Sequence, residues 1–270
     1  MPKSVTFHCE LITPLFMTGA DANQPELRAS SIKGSMRFWW RAMNGHLDLK
    51  KLRDKEGEIF GDTSKRSRVI IQVEEPEYDG FAASLLPHKG GSVNAAFKSG
   101  ETCRVKLSMP RELPDFKLEH LKNLFILTCL LGGFGKRSRR GMGSMRILGV
   151  TNLPSTVAEI EIMIRSINPT FSYTNSSDYP TIKAIQIGKS IKTTSQIGAA
   201  THDVKFNVDT SYNKVAYDST VGAGRPRFAS PIYVSILENG LPVITTLNTI
   251  SPKPREINMT LQNELKTRIL

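Results

Sequence analysis

Cysteine is scarce in this sequence. Its three thiols, Cys9, Cys103 and Cys129, lie far apart and each sits among apolar residues. An odd count without paired spacing excludes a disulfide framework and a zinc-ligand pattern, and it points to free, buried thiols in a reducing cytoplasm. Long apolar runs are missing too. Nothing approaches the roughly 20 residues that a membrane helix needs, so no membrane partner is expected. The opening stretch MPKSVTFHCELITPLF is broken by His8, Glu10 and Pro14 and makes a poor signal peptide. Acidic side chains are absent from residues 130–146. The 270 residues, 39% hydrophobic and 23% charged, suit a folded chain of one large or two ordinary domains.

The charge that is present is positive and localised. The net charge is +11. Residues 28–68 hold 11 basic and 5 acidic side chains, a net +6, and residues 130–146 hold 5 basic and no acidic ones, a net +5. The rest of the chain is neutral. An excess confined to two segments fits a surface built for a polyanion, provided that folding puts both segments on the same side.

Alternating apolar residues predict a half-buried strand over 4–12, and Gly45 stops a helix that begins at Ala29 or Ser30. A second helix is expected over 47–59, a strand over 67–75, a long connection or hairpin over 76–100, a strand over 101–109, a strongly apolar helix over 117–131 and a strand over 144–151. Apart from the extra helix, this is the ferredoxin-like order βαββαβ, with two helices on one face of an antiparallel sheet and the other face available. The second half is less regular. Residues 156–166 fit helix or strand, 181–192 strand, and 198–226 a polar, irregular excursion. Residues 227–237 and 241–246 form a hairpin around Asn239-Gly240, and a short helix closes the chain over 259–270. A domain boundary is expected at 152–155, giving domains of 1–152 and 153–270.

Two stretches bear on function. On a wheel of about 100° per residue, Ile32, Met36, Trp39 and Met43 form an apolar stripe and Lys33, Arg37 and Arg41 a basic one, with Trp40 on the border between them. One reading is a rail that tracks phosphates, with the Trp40 indole half-exposed for stacking on a base. The other is an amphipathic helix whose solvated face is basic. Gly34 favours the first, because a mid-helix glycine costs about 1 kcal/mol against alanine and points to close approach by a backbone or ligand. The second stretch, LGGFGKRSRRGMG over 131–143, packs Lys136, Arg137, Arg139 and Arg140 between glycines. It matches neither a phosphate-binding nucleotide loop nor a dinucleotide fingerprint. A helix stop with dipole-favoured cations explains one or two of the charges, not four. Glycines such as Gly133, Gly135 and Gly141 would bring main-chain N–H groups close to a phosphate.

No catalytic constellation stands out. His8 and His120 sit beside apolar positions and read as structural. His88 and His202 fall in expected loops where a general acid or base can sit, and Asp203 follows His202. Asp21, Asp62 and Asp79 have no spacing that selects them as metal ligands. No cofactor or metal is expected, and binding is better supported than chemistry.

The stretch ITPLFMTGADANQPELRASSIKGSMRFWWRA, the loop GGFGKRSRRGMG between last helix and last strand, and the late segment GRPRFASPIYV together resemble the repeat-associated mysterious protein (RAMP) superfamily. The resemblance is to the family of first-numbered subunits of the type III-B CRISPR Cmr complex. It implies an α+β fold of two tandem ferredoxin-like (RRM-like) domains. It also implies a non-catalytic place in an RNA-guided antiviral effector, with guide RNA, target RNA and other Cmr subunits as partners. Such a subunit would hold guide RNA near its 3′ end, or the matching end of the target. By the same resemblance Arg28, Lys33, Arg37, Trp40 and Arg41 belong to the RNA surface, Gly132–Gly143 is the signature loop, and Arg225 and Arg227 face RNA or protein. The competing class on this scaffold is a metal-independent endoribonuclease that processes guide RNA, with His88 or His202 as its base.

Overall fold

A computed structural model describes residues 3–173, 178–206, 230–248 and 259–270. Arg225 and Arg227 lie outside the described residues.

The first half is built on four antiparallel strands. Strand β1 (Lys3–Leu11) is central. It pairs with β5 (Thr102–Met109) on one side and β6 (Met145–Leu148) on the other, and β2 (Ile70–Glu74) lies beyond β5. The order β2-β5-β1-β6 is the ferredoxin-like arrangement that the element order implies. Period-2 alternation sends Phe7, Cys9, Leu11, Cys103, Val105 and Leu107 into the core. The opposite face presents Thr6, His8, Gln72, Glu74, Arg104 and Lys106, all exposed. His8 is therefore a surface residue. The open face carries no Phe, Tyr or Trp, so it lacks the stacking platform by which RRM sheets hold bases.

Three helices follow the expected bounds closely: α1 (Ala29–Met43), α2 (Leu49–Phe60) and α3 (Leu118–Leu131). His120 does serve structure, since its Nδ1 accepts a hydrogen bond from the Lys117 N–H at the start of α3 (3.1 Å). Helix α3 buries Leu121, Leu124, Phe125, Ile126, Leu127, Thr128, Cys129 and Leu131, on every side. A helix apolar all round must be enclosed, and α3 packs against the first sheet on one side and the second sheet on the other. The three cysteines converge where α3 meets the first sheet. Cys9 faces Cys103 across the strand pair, and burial pushes the Cys129 thiol far above its ordinary value, which makes it inert.

The connection over 76–100 folds into a small hairpin of β3 (Ala82–Ser84) and β4 (Val93–Ala95). Its apolar residues Phe81, Ala83 and Leu85 rest on Phe16, Ala96 and Met142.

In the second half, residues 157–167 are helix α4 (Val157–Ile167), and a reciprocal cap settles the choice. Thr156 Oγ1 accepts from Glu159 N (3.3 Å) while Glu159 Oε2 accepts from Thr156 N (3.0 Å). The start of the expected excursion at 198–226 is instead helix α5 (Thr194–Phe206), opened by a similar Thr193/Gln196 cap. Strands β7 (Ile182–Ile187), β8 (Ile232–Ile236) and β9 (Pro242–Leu247) form a sheet ordered β7-β9-β8, and α6 (Met259–Ile269) ends the chain. Asn239-Gly240 turns the β8–β9 hairpin, with Gly240 at φ +80°. Every residue of β8 and β9 is buried. One face meets α3 and the first core, and the other meets an apolar cluster from α5 and α6 that includes Ile197, Val204, Leu261 and Leu265. The halves thus share α3 and a continuous core.

Candidate nucleic-acid interface

Helix α1 exposes the flank that the wheel assigns to its cations, but those cations are partly engaged. Lys33 donates its Nζ to Ser67 Oγ and to the Val69 carbonyl (3.3 Å). Burial and neighbouring Arg37 hold its pKa below the usual lysine value. Arg37 Nε lies 2.6 Å from Glu56 Oε1, and Arg41 binds the same oxygen while donating Nε to Tyr179 Oη (2.7 Å). Glu56, on α2, is buried, so one carboxylate staples two guanidiniums to the neighbouring helix. Arg28 is exposed beside Glu26 (3.7 Å). Trp40 corrects the expectation. It is 4% exposed and packs edge-on against Phe60 of α2. A border position on the wheel became core because α2 covers it, so the indole offers no face to a base. Gly34 is exposed, and an added Cβ would meet nothing within 4 Å. No backbone among the described residues explains it.

The glycine loop also departs from expectation. Its glycines serve internal packing. A Cβ on Gly133 would fall 2.1 Å from the Met142 carbonyl oxygen, and one on Gly135 would fall 2.3 Å from that of Phe16. Gly141, at φ +79°, lies against Ile197 and donates its N–H to the Val234 carbonyl (2.9 Å). Thr13 Oγ1 and Ser144 Oγ both donate to the Gly141 carbonyl, at 2.7 and 3.0 Å. These bonds tie the loop to the N-terminal segment and to β8. The glycines are needed for that fit.

The cations of the loop divide into two pairs. Lys136 and Arg137 are exposed. Arg139 donates to the Ser230 carbonyl (3.1 Å) and lies over the Tyr233 ring, 4.6 Å from its centroid. Arg140 donates to the carbonyls of Ile232 (3.2 Å) and Arg139 (2.9 Å). Burial lowers its pKa to about 10, and neighbouring Arg139 and Arg137 add to the effect.

The two basic segments meet. Tyr233, under Arg139, packs against Phe38 (5.3 Å between centroids) and Trp39 (5.1 Å) of α1. Gly132 abuts the Trp39 indole. At the other end, Lys136 N–H donates to the Phe16 carbonyl (2.7 Å), and Arg28 N–H to the sulfur of the next residue, Met17 (3.3 Å). The flank of α1 that carries Gly34, Phe38 and Arg37 therefore runs beside the loop that carries Lys136 to Arg140.

Composition flagged more cations than the motifs selected. Lys65, Arg66, Arg68 and Arg111 line a shallow depression of about 750 Å³ that includes Ser67, the partner of Lys33. The net charge of 28–68 was the sequence signal for Lys65, Arg66 and Arg68, and Arg111 had none. His88 and His202, far apart in sequence, have ring centroids 5.4 Å apart in a second cavity beside the loop. Among the described residues, no group of three or more His, Cys, Asp or Glu is placed to hold a metal. No helix among them is long and apolar enough to cross a membrane.

The RAMP superfamily model matches residues 8–146, just over half of the chain, from within β1 to within β6 and including both basic segments. The chain belongs to the RAMP superfamily. Within the RAMP superfamily it is similar to the CRISPR system Cmr subunit Cmr1-2 of Pyrococcus furiosus, 33% identical over 177 residues that cover 52% of this chain and 93% of that one. Its fold matches the crystal structure of apo Cmr1 from the same organism, with a TM-score of 0.64 at 23% identity over 99% and 97% of the two chains. It also matches a chain of the type III-B Cmr-beta complex bound to cognate target RNA, with a TM-score of 0.62 at 11% identity over the whole of both chains. The family match spans the ferredoxin-like sheet and the glycine-rich loop after α3, and the fold match extends over the second antiparallel sheet.

Proposed function

We propose that this chain is a non-catalytic, RNA-binding subunit of a type III-B CRISPR effector. It holds guide RNA near its 3′ end, or the matching end of target RNA, and docks on other Cmr subunits. One observation carries the reading: the exposed flank of α1, with Gly34 open, adjoins the basic loop through Phe38, Tyr233 and Arg139. Such a strip offers phosphate donors without base-specific groups, so it positions an RNA strand and leaves sequence to base pairing. Relatives that are Cmr subunits, and a fold match within an RNA-bound Cmr complex, support the same reading. The two folding units divide near 152–155, with α3 shared between their cores. An RNA–protein crosslink map of the assembled complex tests the proposal. Crosslinks should fall on α1 and on 136–140, and crosslinks confined to other surfaces refute it.

The meeting of His88 and His202 favours one rival, a metal-independent endoribonuclease. Labelled guide-repeat RNA incubated with the purified chain separates the two. Cleavage abolished by His88→Ala or His202→Ala supports the rival, and intact bound RNA supports the subunit.

A further inference from the structure

A cavity of about 220 Å³ lies between residues 85–89 of the hairpin, the loop residues 137–142 and helix α5. Lys89, Arg137 and Arg140 line it, with His88, His202 and Thr201, and among the described residues no carboxylate does. Its volume is below the roughly 300–1,000 Å³ of sites that take whole small molecules. It suits a compact polar group, not a base with its sugar.

Arg140 sets the chemistry. Its side chain is half-buried, and among the described residues its acceptors are neutral carbonyls. A cation removed from water without an opposite charge is costly, and an anion beside it recovers that cost. His88 adds a second unmet demand. Its Nδ1 is buried without a hydrogen-bond partner, and it lies where a Cβ on Gly198 would approach to 2.5 Å. A proton on Nδ1 would find no acceptor among the described residues. Asp203 sits 3.7 Å from His202 but also 3.5 Å from Arg268 on α6, so its charge is shared away from the cavity. Arg137 contributes from a left-handed backbone, φ +61°.

We propose that this cavity is a phosphate-binding subsite. On the RNA-binding reading above, its occupant is one phosphoryl group of the bound strand, an end monoester or an internal diester.

The test begins with inorganic phosphate titrated into the full chain, followed by NMR of the histidine rings. The signals of His88 and His202 should shift together and saturate, while His8 on the open sheet face and His120 at the α3 cap stay fixed. Arg137→Gln should weaken the saturation about tenfold, as expected for loss of one charge-assisted hydrogen bond. Unmoved His8 and His120 signals report that the variant is folded. Equal, non-saturating shifts at all histidines overturn the proposal, and so does a response that Arg137→Gln leaves unchanged. Two RNAs of one sequence, ending in a 3′-phosphate or a 3′-hydroxyl, then identify the source. Preference for the phosphate end, lost in Arg137→Gln, assigns the end monoester. Equal binding, equally weakened, assigns an internal diester. Cleavage of either RNA that needs both histidines overturns the binding assignment in favour of a catalytic one. Saturable phosphate binding with no RNA binding at all refutes the function proposed above and leaves the anion subsite standing.

Discussion

Arg137 sits where a glycine would be comfortable. It is one of two non-glycine residues with positive φ among the described residues, the other being Asn152 (φ +62°). A left-handed conformation costs an ordinary side chain roughly 1–2 kcal/mol. Arg137→Gly removes that strain but gives back about 0.4–1 kcal/mol through the greater freedom of the unfolded chain. The net is a stabilisation of about 0.5–1 kcal/mol, or a rise of about 1–3 °C in Tm for a chain of this size. If the side chain is retained for a phosphate, the same change should weaken RNA binding about tenfold and lower the salt slope by about 0.7. Calorimetry and filter binding across a salt series read the two effects, which should move in opposite directions. Asn152→Gly is the control, stabilising by a similar mechanism with no change in RNA binding. An Arg137→Gly protein that melts higher but binds RNA with unaltered affinity and slope would refute the argument that the strain serves a ligand. One that melts lower would show the side chain to be a structural part of the loop.

Other consequences can be checked directly. Lys33→Ala with Arg37→Ala should weaken RNA binding and flatten its salt dependence by about 0.7 for each phosphate no longer neutralised; unchanged affinity and slope would remove both residues from the surface. Glu56→Gln should destabilise the fold by about 1–3 kcal/mol, since it breaks a buried carboxylate's bond to two half-exposed arginines. It should also steepen the salt slope of RNA binding as those arginines are released, whereas a slope that stays put would mean they do not face RNA. Gly34→Ala should raise helix stability by about 1 kcal/mol, seen in the denaturation midpoint, because its Cβ enters open space; RNA affinity should fall if a strand lies against that position. Affinity of the cavity for a phosphodiester, whose own charge is constant over this range, should rise as pH falls. Burial, His202, Lys89 and Arg137 hold the His88 pKa below its ordinary value in the free protein, with Asp203 opposing, and a bound phosphate raises it. Binding therefore takes up a proton between the two values, and titration at several pH values should show it.

Local pattern decided most of the fold. The wheel of α1 separated the buried Ile32, Met36, Trp39 and Met43 from the cations, and strand alternation chose the core face of β1 and β5. It could not decide Trp40, because a side chain at the border takes its environment from whichever element lies beside it, here Phe60 of α2. Two helices of the second half are written in the sequence as capping boxes, Thr156 with Glu159 and Thr193 with Gln196. Against β-branched or polar composition, neither box is decisive until the helix it opens finds a sheet to pack on. The site was legible as charge but not as arrangement. Nothing local tells that Glu56 reaches back to Arg37 and Arg41, that Gly135 must clear the Phe16 carbonyl, or that His88 and His202 meet.

These arrangements change what the positive charge is worth. On α1, two of the three stripe cations share a carboxylate, so the ridge presents less net charge than its sequence suggests. In the loop, Arg139 and Arg140 spend donors on neutral carbonyls, and among the described residues neither they nor Lys136 and Arg137 pair with a carboxylate. A carbonyl satisfies a hydrogen bond without cancelling a charge, and each guanidinium has five donors to distribute. Among the described residues nothing cancels the charge of the loop, while that of the helix is partly neutralised. A polyanion that meets both should be drawn more strongly to the loop, and the α1 flank, with its open Gly34, then serves more to seat the strand than to attract it.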